Sequence, residues 1–155
     1  MTDTANGADS LQLMTFKIGG QELGVDIMSV REIRVWTEPT PIPHMPAMMR
    51  GVINLRGHVL PIVDLSEQLG WGETRTSPTH VVIVLSVRGE MHGIIVDAVS
   101  DIVTVAASEL RPVPASERSR SDDVVKGLIT SGQQMITVLD LERLPAPSAD
   151  LEMAA

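Results

Sequence analysis

Apolar residues in this chain fall into short runs, broken at close intervals by glycine, proline and charged residues. Leu11 to Ile18 is followed by Gly19-Gly20 and then by Glu22 to Ile27. Arg50 to Leu55 passes through Arg56-Gly57 into His58 to Val63. Val81 to Val87 passes through Arg88-Gly89 into Met91 to Val96, with Val99 to Val105 next, and Val124 to Thr130 turns at Ser131-Gly132 into Gln134 to Leu139. Val and Ile supply most of these runs, and β-branched side chains suit a pleated, half-buried surface. Glycine at the breaks permits the positive φ of tight hairpin turns. The pattern predicts a mainly β fold, a barrel or a sandwich of short strands.

Three short helices are expected between the strands. Asp26 to Ile33 carries apolar residues at 27, 30 and 33, a helical spacing, with Asp26 as N-cap. Asp64 opens the second, and Glu67 three residues on completes a capping-box pattern. Asp140 to Leu144 is the third, stopped before Pro145. Four prolines make residues 37–47 an extended connector. Ser116 to Asp123 reads as a mobile surface loop, and residues 1–10 and 145–155 as flexible tails.

The chain also repeats itself. Gly20, Gly24, Val30 and Ile33 recur 69 residues on as Gly89, Gly93, Val99 and Ile102, with Glu32 matched by Asp101. Gly51, Asp64 and Leu65 recur 76 residues on as Gly127, Asp140 and Leu141, and RGVINLRGHVLPIVDL (50–65) aligns without a gap on KGLITSGQQMITVLDL (126–141). Two halves with the same order of hairpins and short helices should fold as two similar small barrels. Each would hold only about 60–70 residues, marginal for a separate core, so the two are expected to share a hydrophobic interface with a groove between them. Residues 11–144 form this domain, with subdomains at about 15–78 and 79–144 and strand exchange between them allowed.

Charge and composition remove several functions. The chain has 155 residues, with 12 Lys+Arg against 20 Asp+Glu, net −8, and aromatic residues only at Phe16, Trp36 and Trp71. That balance opposes phosphate backbones and anionic lipid, and offers few stacking platforms for bases. There is no cysteine, hence no disulfide or thiolate zinc site. No apolar run approaches the roughly 18–20 residues of a membrane helix, and Met1 to Ser10 lacks the basic and apolar stretches of a signal peptide, so a cytoplasmic protein is expected.

Catalytic patterns are missing too. His44, His58, His80 and His92 show no metal-ligand spacing, Gly19-Gly20 stands in no phosphate-binding motif, and no serine sits in a G-x-S-x-G elbow. Asp64 and Asp140 could pair as acid and base, but their equivalent places at helix starts make N-capping the simpler explanation. No enzyme, cofactor or metal is expected. What remains is recognition through surfaces: Arg56 at a hairpin tip where the repeat has Gly132, the Val30-Arg31-Glu32-Ile33 helix end, and Val81-Val82, one of which must point away from its own barrel core.

IGGQELGVDIMSVREI (18–33), TPIPHMPAMMRGVINLRGHVLPIVDL (40–65) and HVVIVLSVRGEMHGIIVDAVSDIVTV (80–105) strongly resemble the CheW family of chemotaxis coupling proteins, over residues 11 to 144. The resemblance implies two five-stranded SH3-like β-barrel subdomains packed on a shared hydrophobic interface. It implies a non-catalytic adaptor joining the cytoplasmic tips of transmembrane chemoreceptors to the regulatory domain of the histidine kinase CheA, recruited to receptor arrays without touching membrane itself. A coupler in a non-flagellar pathway, for pilus motility or gene regulation, is the alternative. By position, Val30, Glu32, Ile33, Arg56 and Val81 would meet the receptor, and Val25, Ile27 and Met28 the kinase. Gly51 and Gly93 match sensitive family positions, for which backbone geometry is the expected reason. Val35, His44 and Met48-Met49 depart from the family pattern.

Overall fold

The computed structural model describes residues 10–113 and 124–144, so the proposed loop 116–123 and nearly all of both tails lie outside the described residues. Each expected hairpin forms. β1 (Ser10–Ile18) pairs antiparallel with β2 (Gln21–Asp26), and β4 (Met49–Leu55) with β5 (His58–Val63). β6 (Val81–Val87) pairs with β7 (Glu90–Val96), β8 (Ala98–Ala106) follows, and β9 (Val125–Ser131) pairs with β10 (Gln134–Leu139). The last hairpin turns at Gly132-Gln133, one residue later than expected.

The helix expected over Asp26 to Ile33 is largely absent. Asp26 does cap a helical turn, accepting the Met28 N–H at 2.9 Å, but that turn is a single 3₁₀ turn, Ile27–Ser29, and Val30–Val35 is strand β3. The misleading spacing has a definite cause. β3 pairs with β6 as Val30↔Leu85, Glu32↔Val84 and Ile33↔Ile83, with a bulge at Arg31. A bulge inserts one residue, so Val30 and Ile33 share a face although three apart, which imitates helical periodicity. The other two helices are brief: α1 (Leu65–Gln68) and a 3₁₀ turn at Leu141–Arg143.

The strands form two five-stranded sheets, in the orders β8-β1-β2-β10-β9 and β3-β6-β7-β5-β4. Each draws strands from both repeats, so a boundary near residue 78 does not separate them. The exchange obeys the repeat. Parallel pairing of β5 with β7 places Ile62 opposite Gly93, and that of β10 with β2 places Val138 opposite Gly24, the repeat-equivalent pair.

Two-sided burial explains the unbroken apolar runs. On β6, Val82 and Val84 enter a cluster with Ile53, Leu60, Ile62 and Ile95 inside their own sheet. Ile83, Leu85 and Val87 enter the seam with Phe16, Leu23 and Val25 of the other sheet. Val81 is the residue turned from its own barrel core, and it lies half-buried at the seam. Gly51 has φ 139, and a Cβ there would overlap the Thr40 carbonyl; a Cβ on Gly127 would lie 2.6 Å from the Arg111 carbonyl. Gly93 needs no unusual backbone: its Cβ would meet Val82 Cγ1 at 2.7 Å, so side-chain crowding, and not φ, excludes other residues.

His92 is a polar residue buried on the seam face of β7, where the first repeat has Leu23. Its Nε2 has no hydrogen-bond partner among the described residues. Burial, reinforced by the positive charge of Arg88 and opposed by Glu90, holds its pKa below the ordinary value of 6.5. Between that lowered value and 6.5 the unfolded chain takes up a proton that the folded chain refuses, so stability falls as pH drops through this window and is level above it. His92→Leu should remove this component: between about pH 7.5 and pH 5.5 the wild type should lose more of its urea midpoint than the variant. Equal losses would show that the ring is solvated on both sides of the transition.

Candidate functional site

β3 is an edge strand, with β6 as its one sheet neighbour, so among the described residues its outer backbone edge is not covered by another strand. On the seam side stand Val30, half-buried, Ile33, 47% exposed, and Val35, 78% exposed and paired with Val81. On the opposite face stand Glu32 and Arg34, paired with Val84 and Val82. The five receptor-facing residues expected from the sequence therefore fall into two groups. Val30, Ile33 and Val81 form an apolar strip, while Glu32 and Arg56 form a charged pair across the strand. Val35 and Arg34 belong with them and escaped a helical reading, because only strand alternation places them.

The charged pair is built by a turn. Arg56 (φ 51) and Gly57 (φ 86) form the two-residue tip between β4 and β5, and Asn54 Oδ1 accepts the Gly57 N–H at 2.8 Å. Gly132, the repeat equivalent of Arg56, has φ 63, so the same left-handed position is occupied twice. A non-glycine residue there costs about 1 kcal/mol. In return the tip aims an arginine at β3, where Arg56 Nη2 donates to Glu32 Oε2 at 2.5 Å and Arg34 Nη1 to Oε1 at 3.3 Å. The Arg56 hydrogen bond, against the opposing desolvation and with further help from Arg34, holds the Glu32 carboxyl below its usual range, and Glu32 raises the Arg56 pKa in turn. Arg56 thus does not hold its whole fork free for a partner carboxylate, because one arm is engaged within the chain.

The kinase-facing group needs correction. Val25 is wholly buried in the seam, so it can act there only by packing. Ile27 packs partly against the same core, and Met28, on the 3₁₀ turn, is 75% exposed. Asp64 is corrected as well. Its side chain makes no helix cap; fully buried, it accepts the Thr74 N–H at 2.8 Å, the Thr74 hydroxyl at 2.6 Å and Arg50 Nε at 3.2 Å. Asp140 does cap, accepting the Glu142 N–H at 3.2 Å. The sequence offered no signal for the Asp64 clamp, because Thr74 lies in an irregular segment. Ser77, His80 and Asp97 line up in hydrogen-bond contact, but His80 Nδ1 already accepts Ser77's own backbone N–H at 3.0 Å, which competes with the hydroxyl at 3.1 Å. Among the described residues no helix is long and apolar enough to cross a membrane.

The family described as CheW-like domain matches residues 12–146. The chain belongs to the CheW family. A probable chemotaxis protein CheW of Rhizobium etli is 47% identical over 133 residues, 86% of each chain. The chemotaxis protein CheW of Rhizobium meliloti is 46% identical over 145 residues, 92% of each. Among solved structures, the scaffolding protein TtCheW of Thermoanaerobacter tengcongensis is similar with a TM-score of 0.75 and 28% identity, over 84% of each chain. This CheW-family chain thus shares its two-sheet architecture with a scaffold, as the repeat and the resemblance led one to expect.

If Arg56 is the main cause of the lowered Glu32 pKa, Arg56→Ala should move the Glu32 carboxyl up toward the ordinary glutamate value in a side-chain NMR titration. An unmoved titration would assign the shift to Arg34 alone.

Proposed function

We propose that this chain is a non-catalytic adaptor that couples the cytoplasmic tips of chemoreceptors to the histidine kinase CheA, and that it is recruited in this way to membrane-associated arrays. The carrying observation is the exposed edge strand β3 in a CheW-family fold. It places apolar Ile33 and Val35 beside a Glu32–Arg56 pair fixed from the adjacent hairpin. Val30, Ile33 and Val81 supply the apolar part of a groove suited to an amphipathic receptor helix. Glu32 and Arg56 set its orientation, since charges at a rim contribute specificity more than affinity. Ile27 and Met28, without Val25, form the kinase-facing contact. Signal transfer follows from linkage: a receptor state that binds the adaptor–kinase unit more tightly shifts the kinase between its active and inactive populations.

The regulatory domain of the cognate kinase, immobilised, should retain this protein. No retention at roughly tens of micromolar, with both partners folded, would count against the coupler reading. Arg56→Ala and Glu32→Lys should weaken receptor association with the melting temperature nearly unchanged, because exposed ion pairs contribute little to folding. If either variant unfolds the chain, the pair is a structural brace and not a contact.

A further inference from the structure

Two equivalent places in the repeat differ in what packs on them. Around Asp64, residues 73–75 form one wall of a hollow of about 310 Å³ whose other walls include Gly19, His80 and Asp97. Thr74 gives its N–H and its hydroxyl to the Asp64 carboxylate, and Arg50 donates to the Thr74 carbonyl. The 76-residue shift carries Arg50 and Asp64 to Lys126 and Asp140, and the 69-residue shift carries His80 and Asp97 to Leu11 and Met28. The backbone follows the same correspondence. The Asp64 N–H donates to the Met48 carbonyl and the Asp140 N–H to that of Val124, each at 2.7 Å. The two aspartates have φ/ψ of −87/97 and −99/98.

Around Asp140 these positions line a cleft open to solvent. Two hollows of about 440 and 350 Å³ share Asp26, Lys126 and Leu139, the first running past Leu11 and Met28 and the second past Arg88 and Glu142. The Asp140 side chain is 33% exposed, and Lys126 makes no ion pair among the described residues. A carboxylate has about four acceptor positions, so the Glu142 N–H and Arg143, at 3.2 and 3.5 Å, leave Asp140 capacity to accept more.

We propose that this cleft docks an extended segment of a partner protein that presents a serine or threonine to Asp140, as Thr74 is presented to Asp64. The segment gives its hydroxyl and its own N–H to the Asp140 carboxylate, and its carbonyl accepts from Lys126. A neighbouring apolar side chain packs on Leu11 and Met28, which replace the polar His80–Asp97 contact of the other half. At the position 76 residues beyond Thr74 the chain has Asp150, a carboxylate in place of the hydroxyl. The cleft shares Met28 with the proposed kinase-facing contact, but its test needs neither receptor nor kinase, so the two readings fail separately.

The probe is a capped peptide with the sequence of residues 70–79, titrated into the ¹⁵N-labelled full chain. Amide shifts should move at Lys126, at residues 139–142 and at Met28. A Thr74→Val peptide and an Asp140→Ala chain should each bind about tenfold more weakly, the effect of one hydrogen bond to a charged acceptor. Lys126→Ala, at an exposed strand position, should also weaken binding and guards against misfolding of the Asp140 variant. The proposal fails if no shift appears at about 5 mM peptide, well above the weakest affinity of interest, or if the shifts are indifferent to Asp140 and Lys126. It fails equally if a chain ending at Leu144 binds the peptide much more tightly, because the occupant would then be the chain's own end.

Discussion

The apolar seam between the two sheets is the constraint on which the rest of the structure depends. Among the described residues its cluster holds 20 buried residues, against 7 and 4 in the clusters inside the individual sheets. Small sheets with so little interior cannot offset the entropy of ordering their chains. The strands nearest the seam must therefore be apolar on both faces, and this is why β1 and β6 lack clean alternation. The same requirement fixes Leu23 and Val25 in the core, which leaves the neighbouring Met28 as the exposed end of that segment.

With its interior settled at the seam, the fold presents function at its margins. β3 is held by β6, and the Arg56 tip fixes the Glu32 carboxylate beside it, so the charged pair is displayed in one arrangement. A rigid display lowers the ordering cost of association, and the strained arginine at the turn is tolerated because it performs this positioning. Its counterpart Gly132 is relaxed and carries no side chain. The repeat is thus symmetric in frame and asymmetric in chemistry, and the differences lie at Arg56, His92 and Lys126.

Much of the frame was legible in the sequence. The hairpins follow from Gly-containing turns between β-branched runs, and the duplication follows from glycines and aspartates at constant offsets. The readings that failed did so for local physical reasons. At Val30 and Ile33 a bulge imitated a helix, since three residues of spacing on one face arise in either case. At Asp64 a cap was inferred from neighbours in sequence, while the actual partner, Thr74, comes from a segment without periodicity. At Val25, family position suggested contact, but two-sided burial overrode it. The exchange of strands had no local signature at all, because pairing partners so distant in sequence are chosen by the whole fold.

The interlaced order of strands has a consequence for synthesis on the ribosome. When the first repeat has emerged, β3, β4 and β5 have neither β6 nor β7 to lie against, and β1 and β2 lack β8 and β10. The sheet β3-β6-β7-β5-β4 can be completed only when β7 has been made, and the sheet β8-β1-β2-β10-β9 only when β10 has, so the nascent chain carries open strand edges for most of its elongation. A protein of this plan completes one sheet well before the other, and the waiting strands β1 and β2 depend in the meantime on whatever shields their edges.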